Sequence, residues 1–182
     1  LRMILRETGL RGAHVIEPER QADDRGYFAR TWCAAEFAAH GLDPALSQCS
    51  TSFNARRGTL RGLHYQAEPH GEAKLVRCTR GRVFDVIVDL RSGSPTRRQW
   101  FGIEISADNG LMVYAPAGFA HGFQTLEDAS EVFYQISQPY RPERARGLRW
   151  DDPALAIAWP ATDQRIMSER DRNLPLVEAA LC

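Results

Sequence analysis

Lys74-Leu75-Val76-Arg77-Cys78-Thr79, a turn at Arg80-Gly81, and Val83-Phe84-Asp85-Val86-Ile87-Val88-Asp89-Leu90 form the stretch whose reading decides the fold. Both runs are rich in β-branched and apolar residues, and the Arg-Gly turn between them reads as the bend of a hairpin. Period-two alternation sets Phe84, Val86, Val88 and Leu90 on one face of the second strand, with Asp85 and Asp89 on the other. Working outward, similar short runs predict strands over 14–17, 27–32, 47–53, 58–66, 100–106, 111–115, 122–126 and 131–137. One helix is predicted over 34–40, ended by Gly41. Beyond Tyr140 the chain is irregular and punctuated by proline, and is expected to wrap over the body. Many short antiparallel strands at this length imply an all-β sandwich, barrel or jelly roll with a few short helices.

The 182 residues, without repeats or a linker-like tract, are read as one domain, 1–182. Lys plus Arg balances Asp plus Glu at 23 each, so no overall field draws the chain to nucleic acid or to a membrane. No apolar run is long enough to span a bilayer, and Leu1 to Leu10 carries charges where a secretory signal needs an apolar stretch. Cys33, Cys49, Cys78 and Cys182 form no CxxC pair, which fits reduced thiols and a cytoplasmic location. Of the 23 basic side chains only Lys74 is a lysine. In so arginine-rich a chain, the surviving lysine marks a position where a compact ammonium serves and a planar fork does not.

Gly110, Pro116, Gly118 and His121 stand in the spacing G-x5-P-x-G-x2-H, which resembles the second motif of the cupin superfamily. Metal-binding cupins add a His-x-His and a Glu from the first motif. The matching stretch here is His64-Tyr65-Gln66, with no Glu at the expected spacing, and Thr125 stands where the second motif usually ends in Asn. One imidazole from each half is a poor metal site, which needs three or four protein ligands. The motif therefore implies a cupin jelly roll with no metal.

A closer resemblance runs through nearly the whole chain in order. Asp24-Arg25-Gly26-Tyr27-Phe28, Leu60-Arg61-Gly62-Leu63-His64-Tyr65-Gln66, Lys74-Leu75-Val76, Val88-Asp89-Leu90-Arg91, Ser94-Pro95-Thr96, Gly118-Phe119-Ala120-His121-Gly122-Phe123, Trp150-Asp151-Asp152-Pro153 and Ser168-Glu169-Arg170-Asp171 are similar to the dTDP-4-dehydrorhamnose 3,5-epimerase family. The resemblance implies a homodimeric jelly roll acting without a cofactor on a nucleotide-linked 4-keto-6-deoxyhexose. The C4 ketone acidifies the hydrogens on C3 and C5, so inversion needs a base, an acid on the opposite face, and a positive group at the enolate oxygen. By the resemblance His64 is the base, Asp171 its carboxylate partner, Tyr134 the opposing acid and Lys74 the cation. Arg25 and Arg61 are assigned to the diphosphate, and His121 to substrate contact or enolate polarisation.

Three positions depart from the family pattern: Gln21 where Phe is frequent, Arg30 where Glu is common, and Ser50, two residues after Gln48, where Asn is common. The resemblance sets these segments at the nucleotide or sugar end, so Gln48, Ser50 and Arg30 are read as substrate-binding. The departures open the alternative of a different nucleobase or sugar. Three further readings compete: a mono-epimerase inverting C3 or C5 alone, a metal-dependent cupin opposed by Gln66, and a non-catalytic sugar-nucleotide binder opposed by the joint presence of His64, Lys74, Tyr134 and Asp171.

Overall fold

The computed structural model describes residues 1–181, and its architecture is that of a jelly roll of two opposed antiparallel sheets. The first sheet contains β1 (Met3–Glu7), β2 (His14–Pro18), β5 (Gln48–Asn54), β7 (Lys74–Arg80), β10 (Met112–Ala115) and β12 (Ser130–Ile136), in the order β1-β2-β10-β7-β12-β5. The second contains β6 (Leu60–Gln66), β8 (Arg82–Asp89), β9 (Trp100–Ser106), β11 (Phe119–Thr125) and β13 (Ala145–Gly147), in the order β13-β6-β11-β8-β9. A separate hairpin pairs β3 (Arg20–Asp23) with β4 (Gly26–Ala29). The helices are α1 (Ala34–Ala39), α2 (Glu169–Arg172) and α3 (Val177–Ala180). No helix among the described residues is long and apolar enough to cross a membrane.

The expected hairpin across Arg80-Gly81 does not form. β7 pairs with β10 and β12, whereas β8 pairs with β9 and β11, so the turn carries the chain from one sheet to the other. Gly81 makes this corner with a φ of 71°, and a Cβ there would meet Ser130 Oγ at 2.5 Å. Alternation along β8 is as predicted, but both faces are buried. Val83 and Ile87 join Val76, Cys78, Val113, Phe123 and Val132 between the sheets. Val86, Val88 and Leu90 face outward, under a second cluster that includes Leu63, Leu148, Leu155 and Val177. Asp85 and Asp89 therefore lie on the interior side and are themselves buried.

The segment beyond Tyr140 wraps the outer face of the second sheet as expected, adding β13, α2 and α3. Trp159 packs edge-on to Phe84 and donates from Nε1 to the Trp150 carbonyl at 2.8 Å. Asp152, buried, accepts from Val177 N at 2.6 Å, tying the Trp-Asp-Asp-Pro motif to the start of α3. The helix predicted over 34–40 spans Ala34–Ala39, with Phe37 edge-on to Tyr114 at 5.6 Å. β11 begins at Phe119, three residues before the predicted start, so His121 sits within a strand.

Candidate active site

A cavity of about 520 Å³ opens between the two sheets. From the second sheet, His64 on β6 and His121 on β11 enter it as directly opposed residues of neighbouring strands. The first sheet supplies Lys74 at the start of β7, Tyr134 on β12, and Gln48 and Ser50 on β5. Tyr134 is cross-strand neighbour to Ser50, and Ile136 to Lys74. The two imidazoles thus stand on one wall, the ammonium and phenol on the other.

His64 Nε2 lies 2.7 Å from Asp171 Oδ1, with side-chain exposures of 40% and 7%. An ionised carboxylate only accepts, so Nε2 carries the proton and Nδ1 keeps the free lone pair. Asp171 Oδ2 accepts from Gly62 N at 3.1 Å. Burial by itself would raise the Asp171 pKa, but the His64 hydrogen bond, the His64 charge and the Gly62 N–H together hold it below the ordinary carboxylate value. Ser168 caps α2 by accepting from Asp171 N at 3.1 Å, which gives the Ser-x-x-Asp spacing a physical reason. Gly62 permits close approach of β6 to β11. Its φ is 123°, and a Cβ would lie 2.6 Å from Gly122 Cα.

His121 is buried and donates from Nε2 to Asp85 Oδ2 at 2.7 Å. Its ring meets Tyr134 edge-on at 5.7 Å. Burial, reinforced by the Asp85 charge and opposed by Arg61, pushes the Tyr134 phenol well above its usual range, so it keeps its proton. Arg61 donates from Nε to Asn54 Oδ1 at 2.8 Å and lines the cavity.

Gln66 holds loops rather than a ligand. Its amide donates to the His70 carbonyl at 2.7 Å and accepts from Arg141 N at 2.8 Å. Among the described residues no group of three or more His, Cys, Asp or Glu side chains is arranged to hold a metal ion.

Two expected binding residues stand outside the cavity of this chain. Arg25 sits at the tip of the β3–β4 hairpin, its side chain 90% exposed and paired with Asp23. Arg30 is engaged by Glu36 at 2.7 Å and by the Leu1 carbonyl, because it follows β4 at the base of α1 and not at the cavity wall. Gln21 is exposed on the same hairpin, so of the three departures from the family pattern only Ser50 lines the cavity. Conversely, Glu72, Tyr140, Arg146 and Arg170 line it without having been anticipated. Adjacency to Asp171 was a signal for Arg170, and a position two before Lys74 was one for Glu72; nothing local marks Arg146 or Tyr140.

A jelly roll carrying these proton-active side chains between its sheets defines the class: a carbohydrate epimerase on the cupin fold. A model of the dTDP-4-dehydrorhamnose 3,5-epimerase family matches residues 7–179, and the chain belongs to that family. It is 43% identical over 173 residues to a dTDP-4-dehydrorhamnose 3,5-epimerase of Sinorhizobium fredii, covering 95% of this chain and 89% of the relative. The crystal structure of dTDP-4-dehydrorhamnose 3,5-epimerase from Elizabethkingia anophelis superposes with a TM-score of 0.94 at 38% identity, covering 97% of each chain. A 3'-monoepimerase from Streptomyces bikiniensis, in complex with dTDP-quinovose, superposes with a TM-score of 0.87 at 36% identity, covering 94% of this chain and 87% of that one.

Proposed function

We propose that this enzyme inverts C3 and C5 of dTDP-4-dehydro-6-deoxyglucose, giving dTDP-4-dehydrorhamnose, by acid–base enolisation without metal or cofactor. The observation that carries the reading is the placement of His64 and Tyr134 on opposed walls of one cavity. His64 Nδ1 removes the proton beside the C4 ketone, and Asp171 stabilises the resulting imidazolium. Lys74 meets the developing enolate oxygen, with His121 polarising the same group or contacting the sugar. Tyr134, held protonated by its burial, returns a proton to the opposite face. Solvent exchange then restores both groups, so the reaction is a net isomerisation with no electrons gained or lost.

Arg61 hydrogen-bonds the diphosphate, joined by Arg146 and Arg170 at the same cavity. Gln48 and Ser50 serve the nucleoside end. The β3–β4 hairpin projects Tyr27 and Phe28 into solvent, 57% and 69% exposed. These exposed aromatics support a homodimer in which the hairpin, with Arg25 at its tip, reaches the partner's cavity. The free thiols of Cys33, Cys49 and Cys78 support a cytoplasmic reaction, and Cys182 lies outside the described residues.

The test is incubation with dTDP-4-dehydro-6-deoxyglucose in D2O, followed by mass spectrometry and proton NMR. Two exchanged carbon positions are expected. A single one assigns a mono-epimerase, the activity of the Streptomyces bikiniensis relative. No exchange by a folded protein overturns the reading, and competition among dTDP, UDP, GDP and CDP then identifies the nucleotide.

A further inference from the structure

Glu72 is the one carboxylate among the described residues lining the cavity, whose other charged lining groups are basic. An acidic side chain in a pocket for an anionic diphosphate sugar weakens long-range attraction, so its presence calls for a local reason. The geometry gives one. Glu72 lies two residues before Lys74, just ahead of β7, and both side chains line the cavity, while Ala73 between them packs into the cluster with Phe37 and Tyr114. Glu72 Oε1 lies 3.0 Å from Lys74 Nζ, with side-chain exposures of 11% and 10%. Lys74 Nζ also donates to the His64 carbonyl at 3.3 Å. An ammonium has three donors on a flexible stem; two are engaged here and one is left for the cavity.

Resting on the epimerase reading above, we infer that Glu72 is a positioning residue that tethers the Lys74 ammonium so that its remaining N–H meets the enolate oxygen. The Glu72 carboxylate itself never contacts the reacting atoms. It removes the rotamer freedom of the only lysine in the chain, which would otherwise swing toward the diphosphate.

A double-mutant cycle on kcat for deuterium incorporation tests this, using Glu72→Ala, Lys74→Ala and both together in the full-length chain. Loss of a charge-assisted tether lowers kcat by about tenfold to a hundredfold, with KM changed by less than about threefold. Glu72→Gln, which keeps an acceptor oxygen, restores kcat to within about threefold of wild type, and Glu72→Leu, which keeps bulk but no acceptor, replaces Glu72→Ala in the cycle if that variant does not fold. In the Lys74→Ala background the Glu72 substitution costs less than about twofold, because nothing is left to position. An unchanged kcat in Glu72→Ala, or an equal loss with and without Lys74, overturns the inference. A wild-type protein that exchanges nothing fails the epimerase reading instead, so the two failures are distinguishable.

Discussion

His64 and Asp171 lie 107 positions apart in the chain, yet Nε2 of one donates to Oδ1 of the other across 2.7 Å. The contact depends on the C-terminal wrap, since Asp171 is carried by α2 and fixed there by Ser168 and by Gly62 N. Asp171 thereby sets which imidazole nitrogen is free to act in the role proposed for His64. Asp171→Asn offers an amide that can present its N–H to Nε2, which favours the wrong tautomer. We expect kcat for exchange to fall by about 10²- to 10⁴-fold with KM little changed, measured by steady-state kinetics and D2O incorporation.

Tyr134→Phe separates proton removal from inversion. The His64 side still abstracts and returns a proton, so deuterium enters the substrate with retention of configuration. Formation of the inverted product falls by about a hundredfold or more, since no acid remains on the opposite face. NMR of the sugar product distinguishes labelled substrate from epimer. Loss of both signals in a folded variant would show that Tyr134 is needed for binding or for deprotonation.

Arg170 lines the cavity beside Asp171 and is proposed above to bind the diphosphate. Arg170→Ala should raise KM about tenfold while kcat stays within about threefold, because the phosphates bind alike in ground and transition states. A fall in kcat at constant KM would place this residue in the proton chemistry.

Asp89 reports on stability rather than catalysis. It is fully buried. Burial would raise its pKa, but Arg91, Ser94 and Thr96 all hydrogen-bond it and bring it down to about 2 from 3.8. Arg91 is bidentate, Nε to Oδ1 at 2.9 Å and Nη2 to Oδ2 at 2.7 Å. A carboxyl whose folded pKa is depressed stabilises the fold above its unfolded pKa, and that contribution vanishes as pH falls through the folded value. Asp89→Asn should lower unfolding free energy at pH 7 by roughly 2 kcal/mol, and the gap from wild type should close between about pH 4 and pH 2. Denaturant melts across that pH range measure it; a gap constant with pH would refute the charge argument.

Much of the site was legible because its residues lie in short contiguous motifs. His64 and Lys74 fall within strands read from the sequence, whereas His121 stands one residue ahead of the strand read over 122–126, and the roles of all three came from the family resemblance. Asp171 was implied by the family match of Ser168-Glu169-Arg170-Asp171, a spacing that the structure shows to be a helix cap. The strands over 131–137 and 100–106 were legible from their short β-rich runs. Arg25 and Arg30 show the opposite limit. The sequence carries their charge but not the neighbours that engage it, and here those are Asp23 and Glu36.

The sequence by itself determined the strand-rich character and the cupin motif with its broken metal set, and its resemblance to the epimerase family implied the base, acid and cation proposed above. Strand character depends on residue type and on spacings of a few positions, where steric and hydrogen-bonding preferences act locally. Tertiary structure alone decided that β7 and β8 belong to different sheets, because pairing partners are chosen by which faces can be buried together across long stretches of chain. It likewise decided that Asp85 lies inside beneath His121, and that Glu72, Arg146 and Arg170 share one cavity. A charged side chain acquires such a role from groups brought to it by the rest of the fold, and in this jelly roll those groups come from opposite sheets and opposite ends of the chain.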